Sequence, residues 1–179
     1  MSTSGIYNDL PHVVLREALE NDSDLLDILS TPAVCGEWDT FDDPPEAMLN
    51  GLHYGGGSKI VELADGTRVG SVSWIQIPYG PNAMSLAWSI GITILPQYRG
   101  RHLGASAQRL LADELLGRSK ANRVQADTDI ENVPEQKALE RAGFNREGIA
   151  RGAQWRRGEW HDRIVYSYLR NEAPGRQAE

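Results

Sequence analysis

The segment 96–105 constrains the fold more than any other part of the chain. It follows a β-branched run at 90–94 and precedes an amphipathic helical pattern, so the sequence predicts a strand, a glycine-containing loop and a helix. Successive backbone N–H groups in such a loop point toward one place, and the positive end of the helix dipole favours an anion there. We therefore expect a phosphate-binding turn whose natural ligand is a pyrophosphate.

The position of this loop in the chain excludes a dinucleotide-binding fold. In that fold the glycine turn normally lies in the first strand-turn-helix of an alternating parallel unit. Here strand-like runs at 59–63, 67–77 and 84–95 come first, with a hairpin signal at Asp65-Gly66 between the first two. A flexible turn is predicted at the three glycines 55–57. The order indicates three antiparallel strands before the loop.

Elements after the loop continue the same mixed pattern. Asn132 is predicted to cap a helix at 133–142, and Gly143 to end it. Strands are expected at 124–128, 144–149 and 160–169, the last two as an antiparallel pair. The helix that follows the loop has apolar residues at helical spacing and should bury one stripe: Leu103, Ala107, Leu110, Leu111 and Leu115.

Length and composition exclude several classes of protein. With 179 residues and 40% hydrophobic content, we expect one domain over 1–179, with a disordered polar tail at 171–179. A net charge of −7 argues against nucleic acid as a partner. The chain has no apolar run long enough to span a membrane and no secretory leader, so we expect a cytoplasmic protein.

Metal and thiol chemistry have little support in the sequence. Cys35 is the single cysteine, which rules out an intramolecular disulfide and a thiolate metal cluster. The four histidines are scattered without ligand spacing, so no metal site is expected.

Two blocks of sequence resemble one family. Arg99-Gly100-Arg101-His102-Leu103-Gly104 is similar to the Gln/Arg-x-x-Gly-x-Gly/Ala loop of the GNAT acetyltransferase superfamily, which binds the pyrophosphate of acetyl-coenzyme A. Asn132, followed by a helix, Ala142-Gly143-Phe144 and Arg146-Glu147-Gly148, resembles the branch that acetylates the N-termini of ribosomal proteins. Together the blocks cover roughly residues 84 to 169.

The resemblance implies a fold and a cofactor site. The fold is mixed α/β, with a mostly antiparallel central sheet that splays between strands 4 and 5 and is flanked by helices. His102 departs from the family because it stands where the first glycine of the loop is usual, and we expect it to fit a helical first turn without strain. The residues expected to bind acetyl-coenzyme A are Ile92, Thr93, Ile94, Arg99, Gly100, Arg101, His102, Leu103, Gly104, Ala105 and Asn132.

Catalytic candidates are fewer. The acceptor nitrogen must lose a proton, and Asp127 is the first candidate for the base. The alternative is a carboxylate at a strand end that a neighbouring arginine satisfies. Ser89 is the second candidate, because it occupies a position where many relatives carry a glutamate that acts through water. Leu139 stands where the superfamily often has a proton-donating tyrosine, so the thiolate would take its proton from solvent.

The acceptor itself is weakly specified. We assign its site to Glu37, Trp38, Asp39 and Trp74, since an acidic aromatic loop suits an amine; a solvated surface loop is the alternative. The expected function is transfer of an acetyl group to a primary amine of a small molecule or of a peptide N-terminus, by direct attack in a ternary complex. A non-catalytic acyl-coenzyme A sensor or subunit is the rival interpretation, and the sequence leaves a homodimer open.

Overall fold

The computed structural model describes residues 9–36 and 55–172, which form a seven-stranded sheet with helices. The strands are β1 (Val14–Glu17), β2 (Gly56–Glu62), β3 (Arg68–Pro78), β4 (Leu86–Ile94), β5 (Arg123–Asp129), β6 (Asn145–Arg156) and β7 (Glu159–Leu169). The α-helices are α1 (Ser23–Leu29), α2 (Pro32–Cys35), α3 (Leu103–Arg118) and α4 (Val133–Ala142).

The sheet has the order β1-β2-β3-β4-β5-β7-β6, and every neighbouring pair is antiparallel except β4 and β5. The parallel pair is short, because only Trp88 with Val124 and Ser89 with Gln125 are in register. Beyond these residues the two strands diverge. The predicted mixed α/β fold with a splayed sheet is therefore confirmed.

The main core lies between α3, α4 and one face of the sheet, which we call the helix face. Helices α1 and α2 pack on the opposite face in a smaller cluster around Ile60. Leu111 and Leu115 of α3 are fully buried against the helix face, and so is Leu139 of α4. The predicted stripe on α3 is correct except at Leu110, which is 42% exposed. Leu110 and Leu111 are adjacent and point about 100° apart around the helix axis, so the two cannot both reach the sheet.

The glycines after residue 54 are not the turn that the sequence predicts. Gly56 and Gly57 belong to β2 and pair with Ile75 and Trp74 of β3. A Cβ at Gly57 would lie 2.5 Å from Trp74 Cζ2, and one at Gly56 would lie 2.6 Å from the Trp74 carbonyl oxygen. The glycines are needed because the Trp74 indole and backbone come so close to β2.

Three other boundaries follow local signals to differing degrees. The hairpin at Asp65-Gly66 forms, with Gly66 at φ +83°. Helix α4 has the predicted bounds, with the Asn132 side chain accepting from the Glu135 N–H and Gly143 at φ +93°. Strand β6 continues to Arg156, seven residues past its predicted end, because it pairs with β7 down to the turn at 157–158.

A buried carboxylate secures the corner between β1 and α1. Asp22 is fully buried and accepts hydrogen bonds from the Arg16 guanidinium at 2.6 and 2.9 Å and from the Leu19 N–H at 2.8 Å. Arg68 of β3 donates to the same carboxylate at 3.2 Å. This corner lies on the β1 side of the sheet, away from the splay between β4 and β5.

Candidate active site

The divergence of β4 from β5 leaves backbone hydrogen-bonding groups of β4 without a strand partner. The Leu95 N–H donates to the Val69 carbonyl on the β3 side. Since an antiparallel ladder alternates, the backbone groups of Thr93 also point to β3, whereas those of Ile92 and Ile94 point into the opening. Ile92, Thr93 and Ile94 were all expected to bind the cofactor. Of these, Ile92 and Ile94 present their backbone groups to the opening.

The loop between β4 and α3 has the form of an anion site. Helix α3 begins at Leu103, and within the described residues no side chain caps its first turn. The N–H groups of Leu103, Gly104 and Ala105 have no acceptor inside the helix, since its first backbone bond runs from Ser106 to His102. These three donors and the helix dipole converge beside the splay.

His102 has a conformation that the sequence analysis did not anticipate. Its φ is +61°, in the left-handed region, and it is the N-cap residue of α3 rather than part of the first turn. The expectation of an unstrained helical histidine is therefore wrong. Gly100 in the same loop has φ +74°. A left-handed backbone at position 102 accounts physically for the usual glycine there.

The two arginines of the loop have protein partners. Arg99 Nε donates to the Ile94 carbonyl at 2.9 Å, and its Nη2 donates to the Val34 carbonyl at the end of α2. The Arg101 guanidinium lies 5.6 Å from the centre of the Tyr98 ring. Arg99 joins α2 to the end of β4 and also lines the cleft described below, so its contact with phosphates stays a prediction.

A cleft of about 930 Å³ lies on the helix face of the sheet, between this loop and α4. Its walls contain Asn132 and, one helical turn apart, Lys137 and Arg141. The sequence analysis missed these two cations, although their i, i+4 spacing after Asn132 was a usable signal. The other lining residues are Val34, Cys35, Gly36, Ile92, Thr93, Ile94, Tyr98, Arg99, Gly100, His102, Leu103, Gly104, Ala105, Pro134, Glu135, Ala138 and Glu140.

A second pocket of about 280 Å³ lies on the opposite face of the sheet. Asp127 and Gln125 line it from β5, and Ser89 shares their face because it is the register partner of Gln125. Arg163 of β7 donates from Nε to Asp127 Oδ2 at 2.7 Å and from Nη1 to Gln154 Oε1 at 3.0 Å. The arginine partner that the alternative interpretation required for Asp127 is thus present.

Of the four residues predicted to form the acceptor site, the structure describes one, Trp74. Trp74 is 7% exposed and lies in the core, where the Arg118 guanidinium is 4.7 Å from its ring centre. It is not among the residues that line either pocket, so its assignment to the acceptor site is corrected. Glu37, Trp38 and Asp39 lie outside the described residues.

Two tyrosines of β7 are buried in the core with carboxylate partners. Tyr166 donates to Glu140 at 3.2 Å, and Tyr168 donates to Asp113 at 3.3 Å. Burial, together with the Glu140 charge, raises the pKa of Tyr166. An exposed tyrosine lies close to the smaller pocket: Tyr79, in the turn after β3, donates to Gln125 at the point where β4 and β5 separate.

A comparison of the sequence with protein families decides the classification. The acetyltransferase (GNAT) domain model matches residues 12–145, three quarters of the chain. The chain belongs to the GNAT acetyltransferase family. The match includes β4 and β5, the loop before α3 and Asn132, so the cleft described above lies within the family's domain.

Named members of the GNAT family resemble the chain over part of their length. A probable N-acetyltransferase of Bacillus subtilis, YjcK, is 32% identical over 117 residues, which is 65% of this chain and 61% of the relative. A putative ribosomal N-acetyltransferase of the same organism, YdaF, is 29% identical over 129 residues, 72% of this chain and 65% of the relative. The chain thus matches slightly less than two thirds of the length of each relative.

Solved GNAT structures agree with the fold. RimJ of Mycobacterium smegmatis, in complex with CoA-disulfide, superimposes with a TM-score of 0.71 at 20% identity and covers 92% of this chain and 85% of its own. Spermidine N-acetyltransferase of Vibrio cholerae, in complex with CoA and spermine, gives 0.69 at 18% identity, covering 89% and 96%. In the part of the chain that the structure describes, no helix is long and apolar enough to cross a membrane.

Proposed function

We propose that this chain is an N-acetyltransferase that transfers the acetyl group of acetyl-coenzyme A to a primary amine of a small molecule or of a peptide N-terminus. The observation that carries the proposal is the opening between β4 and β5 directly beside the uncapped start of α3. A diphosphate ester with a long polar arm matches both features, since one binds anions and the other offers a free strand edge.

The cleft on the helix face fits the cofactor. The three residues whose N–H groups have no acceptor inside α3, Leu103, Gly104 and Ala105, all line it. The loop would hold the pyrophosphate, Lys137 and Arg141 would add positive charge, and Asn132 would contact the pantetheine arm. The backbone of Ile92 would pair with that arm. Acetyl-coenzyme A supplies a thioester, which is an activated acetyl group.

The pocket on the opposite face is the proposed acceptor site. An arm that passes through the splay from the helix side emerges next to Gln125 and Asp127. Cofactor and amine then meet from opposite faces of the sheet, which suits direct attack in a ternary complex. A homodimer is compatible with this arrangement but not required by it.

Asp127 is the proposed proton acceptor. Its ion pair with Arg163 engages Oδ2 and the main-chain carbonyl, at 2.7 and 2.9 Å, which fixes the carboxylate and leaves Oδ1 for the amine. Ser89 is on the same face and would bridge to the amine through water. We propose that these two residues and Tyr79 surround the reacting nitrogen.

Asp127→Asn tests the role of Asp127. It keeps the shape of the side chain and removes its basicity, so kcat/KM at neutral pH should fall about 10²- to 10⁴-fold while affinity for coenzyme A, measured by calorimetry, stays the same. The control is Asp113→Asn, since Asp113 is a carboxylate on α3 that bonds Arg109 and Tyr168 on the other face. Full activity of the Asp127 variant would mean that the proton leaves through water.

A non-catalytic acyl-coenzyme A sensor is the second candidate. It is favoured by the buried Leu139, which occupies the usual place of a proton-donating tyrosine, and by the carboxylate partners of Tyr166 and Tyr168. A screen of amines and peptides for thiol release from acetyl-coenzyme A separates the two. Binding of coenzyme A without thiol release for any acceptor would favour the sensor.

A further inference from the structure

A buried ion pair connects the β6–β7 hairpin to the wall of the cofactor cleft. Asp129, the last residue of β5, is 1% exposed, and Arg156, the last residue of β6, is 4% exposed. Arg156 Nη2 donates to Asp129 Oδ2 at 2.8 Å. Neither residue lines either of the two pockets described above, so the proposed chemistry does not use them directly.

Asp129 organises the turn that leads into α4. Its Oδ1 accepts from the Glu131 N–H at 2.8 Å, and its carbonyl accepts from the Asn132 N–H at 3.0 Å. Gln136 of α4 donates to the carbonyls of Asp129 and Ile130 at 3.4 and 2.8 Å. The Asn132 side chain in turn caps the helix at Glu135. The carboxylate that Arg156 binds therefore also holds the turn that carries Asn132.

His161 of β7 fixes the guanidinium on its other side. Its Nδ1 lies 3.1 Å from Arg156 Nη2, and its Nε2 lies 3.2 Å from the Arg156 carbonyl oxygen. A neutral ring with its proton on Nε2 satisfies both contacts, because Nδ1 then accepts from Arg156 and Nε2 donates to the carbonyl. Arg156 is thus held by the hairpin while it reaches across to β5.

The buried ion pair between Arg156 and Asp129 is better explained by a role in positioning than by a gain in folding stability. Removing two charges from water costs several kcal/mol each, so a buried pair is often no more stabilising than apolar residues of similar size. What such a pair supplies is a fixed geometry with directional bonds. Here the geometry that it fixes is the entrance of α4.

We propose that Arg156, acting through Asp129, is a positioning residue that sets Asn132 and the first turn of α4 in place for the acyl-coenzyme A cosubstrate. This inference rests on the proposed function, because it assigns Asn132 to the cofactor wall. The hairpin that carries Arg156 also contributes Ala153 and Gln154 to the acceptor pocket. The pair therefore joins a wall of one pocket to a wall of the other.

The test compares Asp129→Asn with Asp22→Asn. Both replace a buried carboxylate that an arginine and a backbone N–H hold, but Asp22 is at the β1 corner. Both variants should unfold at a lower temperature. Only Asp129→Asn should weaken coenzyme A binding in calorimetry, by about tenfold, and raise the KM for acetyl-coenzyme A by a similar factor with little change in kcat.

Substitutions at Arg156 and Gln136 extend the comparison. Arg156→Met should weaken coenzyme A binding as Asp129→Asn does, and Arg156→Lys, which keeps the charge, should restore part of the affinity. If these variants do not fold, Gln136→Ala removes only the side-chain bonds to the turn and should weaken binding about threefold.

The outcomes separate the inference from the proposed function. Wild-type affinity for coenzyme A in folded Asp129→Asn, Arg156→Met and Gln136→Ala would overturn the positioning role and leave the proposed function standing. An equal loss of affinity in Asp22→Asn would overturn it as well, because destabilisation alone would then explain the effect. A wild type that does not bind coenzyme A would overturn both.

Discussion

Gly104 offers the sharpest test of the anion site, because the fold has room for a side chain there while a negative charge should weaken binding. It is the second residue of α3, and a Cβ there would meet Ile92 Cδ1 at 3.7 Å and Ile94 Cγ1 at 3.9 Å, which are ordinary contacts. No backbone strain is relieved or created, because its φ is helical. Alanine should therefore be accepted by the fold.

The magnitudes follow from this geometry. Alanine in place of a helical glycine stabilises by about 0.5 to 1 kcal/mol, which raises Tm by about 1 to 4 °C in a chain of this size. The family loop has Gly or Ala at this position, so Gly104→Ala should bind coenzyme A about as the wild type does. Gly104→Glu instead brings a longer, negatively charged side chain beside the N–H donors of the first turn. Loss of one charge-assisted bond costs about 1.5 to 3 kcal/mol, so Kd for coenzyme A in Gly104→Glu should rise about 10- to 150-fold.

Calorimetric titration with coenzyme A and a thermal melt of each variant are sufficient. Gly148→Ala is the matched control, since a Cβ there meets nothing within 4 Å and the residue lies on β6, outside the cleft. The control should bind as the wild type does. A folded Gly104→Glu protein with wild-type affinity would refute the reasoning and remove the loop from the binding site.

Two further substitutions test the structure around the site. His102→Gly removes the left-handed strain and should raise Tm by about 2 to 4 °C, from about 1 kcal/mol; an unchanged or lower Tm would contradict the φ of +61°. Asp22→Asn should destabilise more at about pH 7 than at about pH 3: the bonds from Arg16 lower the pKa of Asp22 below its ordinary value of 3.8, so its contribution is complete above that pH and is lost in acid. Denaturant titrations at both pH values measure this, and a pH-independent difference would count against it.

The sequence predicted those parts of the fold whose signals are local. Helix α4 has its predicted bounds because Asn132 and Gly143 satisfy the two ends of the helix whatever packs against it. The Asp65-Gly66 hairpin formed for the same kind of reason, since Gly66 supplies the positive φ that the turn needs. The splay between β4 and β5 was expected through family resemblance and not from any local pattern.

The sequence analysis failed where the conformation or contacts of a residue depend on residues outside its own segment. Gly56 and Gly57 were predicted to form a turn, but they belong to a strand. Small residues are needed there because Trp74 of another strand lies so close, and the local sequence does not show this. The bond from Arg99 to the Val34 carbonyl was not predictable either, because it joins positions 65 residues apart. His102 was predicted to be helical, but the geometry of the whole loop gives it a positive φ. Spacing along one segment contains none of this information.

The two proposed pockets also differ in what recognises the ligand, and this explains why the pocket on the helix face has the clearer pattern in the sequence. On the helix face the donors are backbone groups at the start of α3 and on the edge of β4, so a histidine can replace a loop glycine without removing a donor. On the opposite face the groups are side chains, Asp127 and Arg163 among them, brought together from three strands. A site of the first kind keeps a recognisable spacing in sequence. A site of the second kind changes its ligand with a single substitution, so the acceptor must be found by assay.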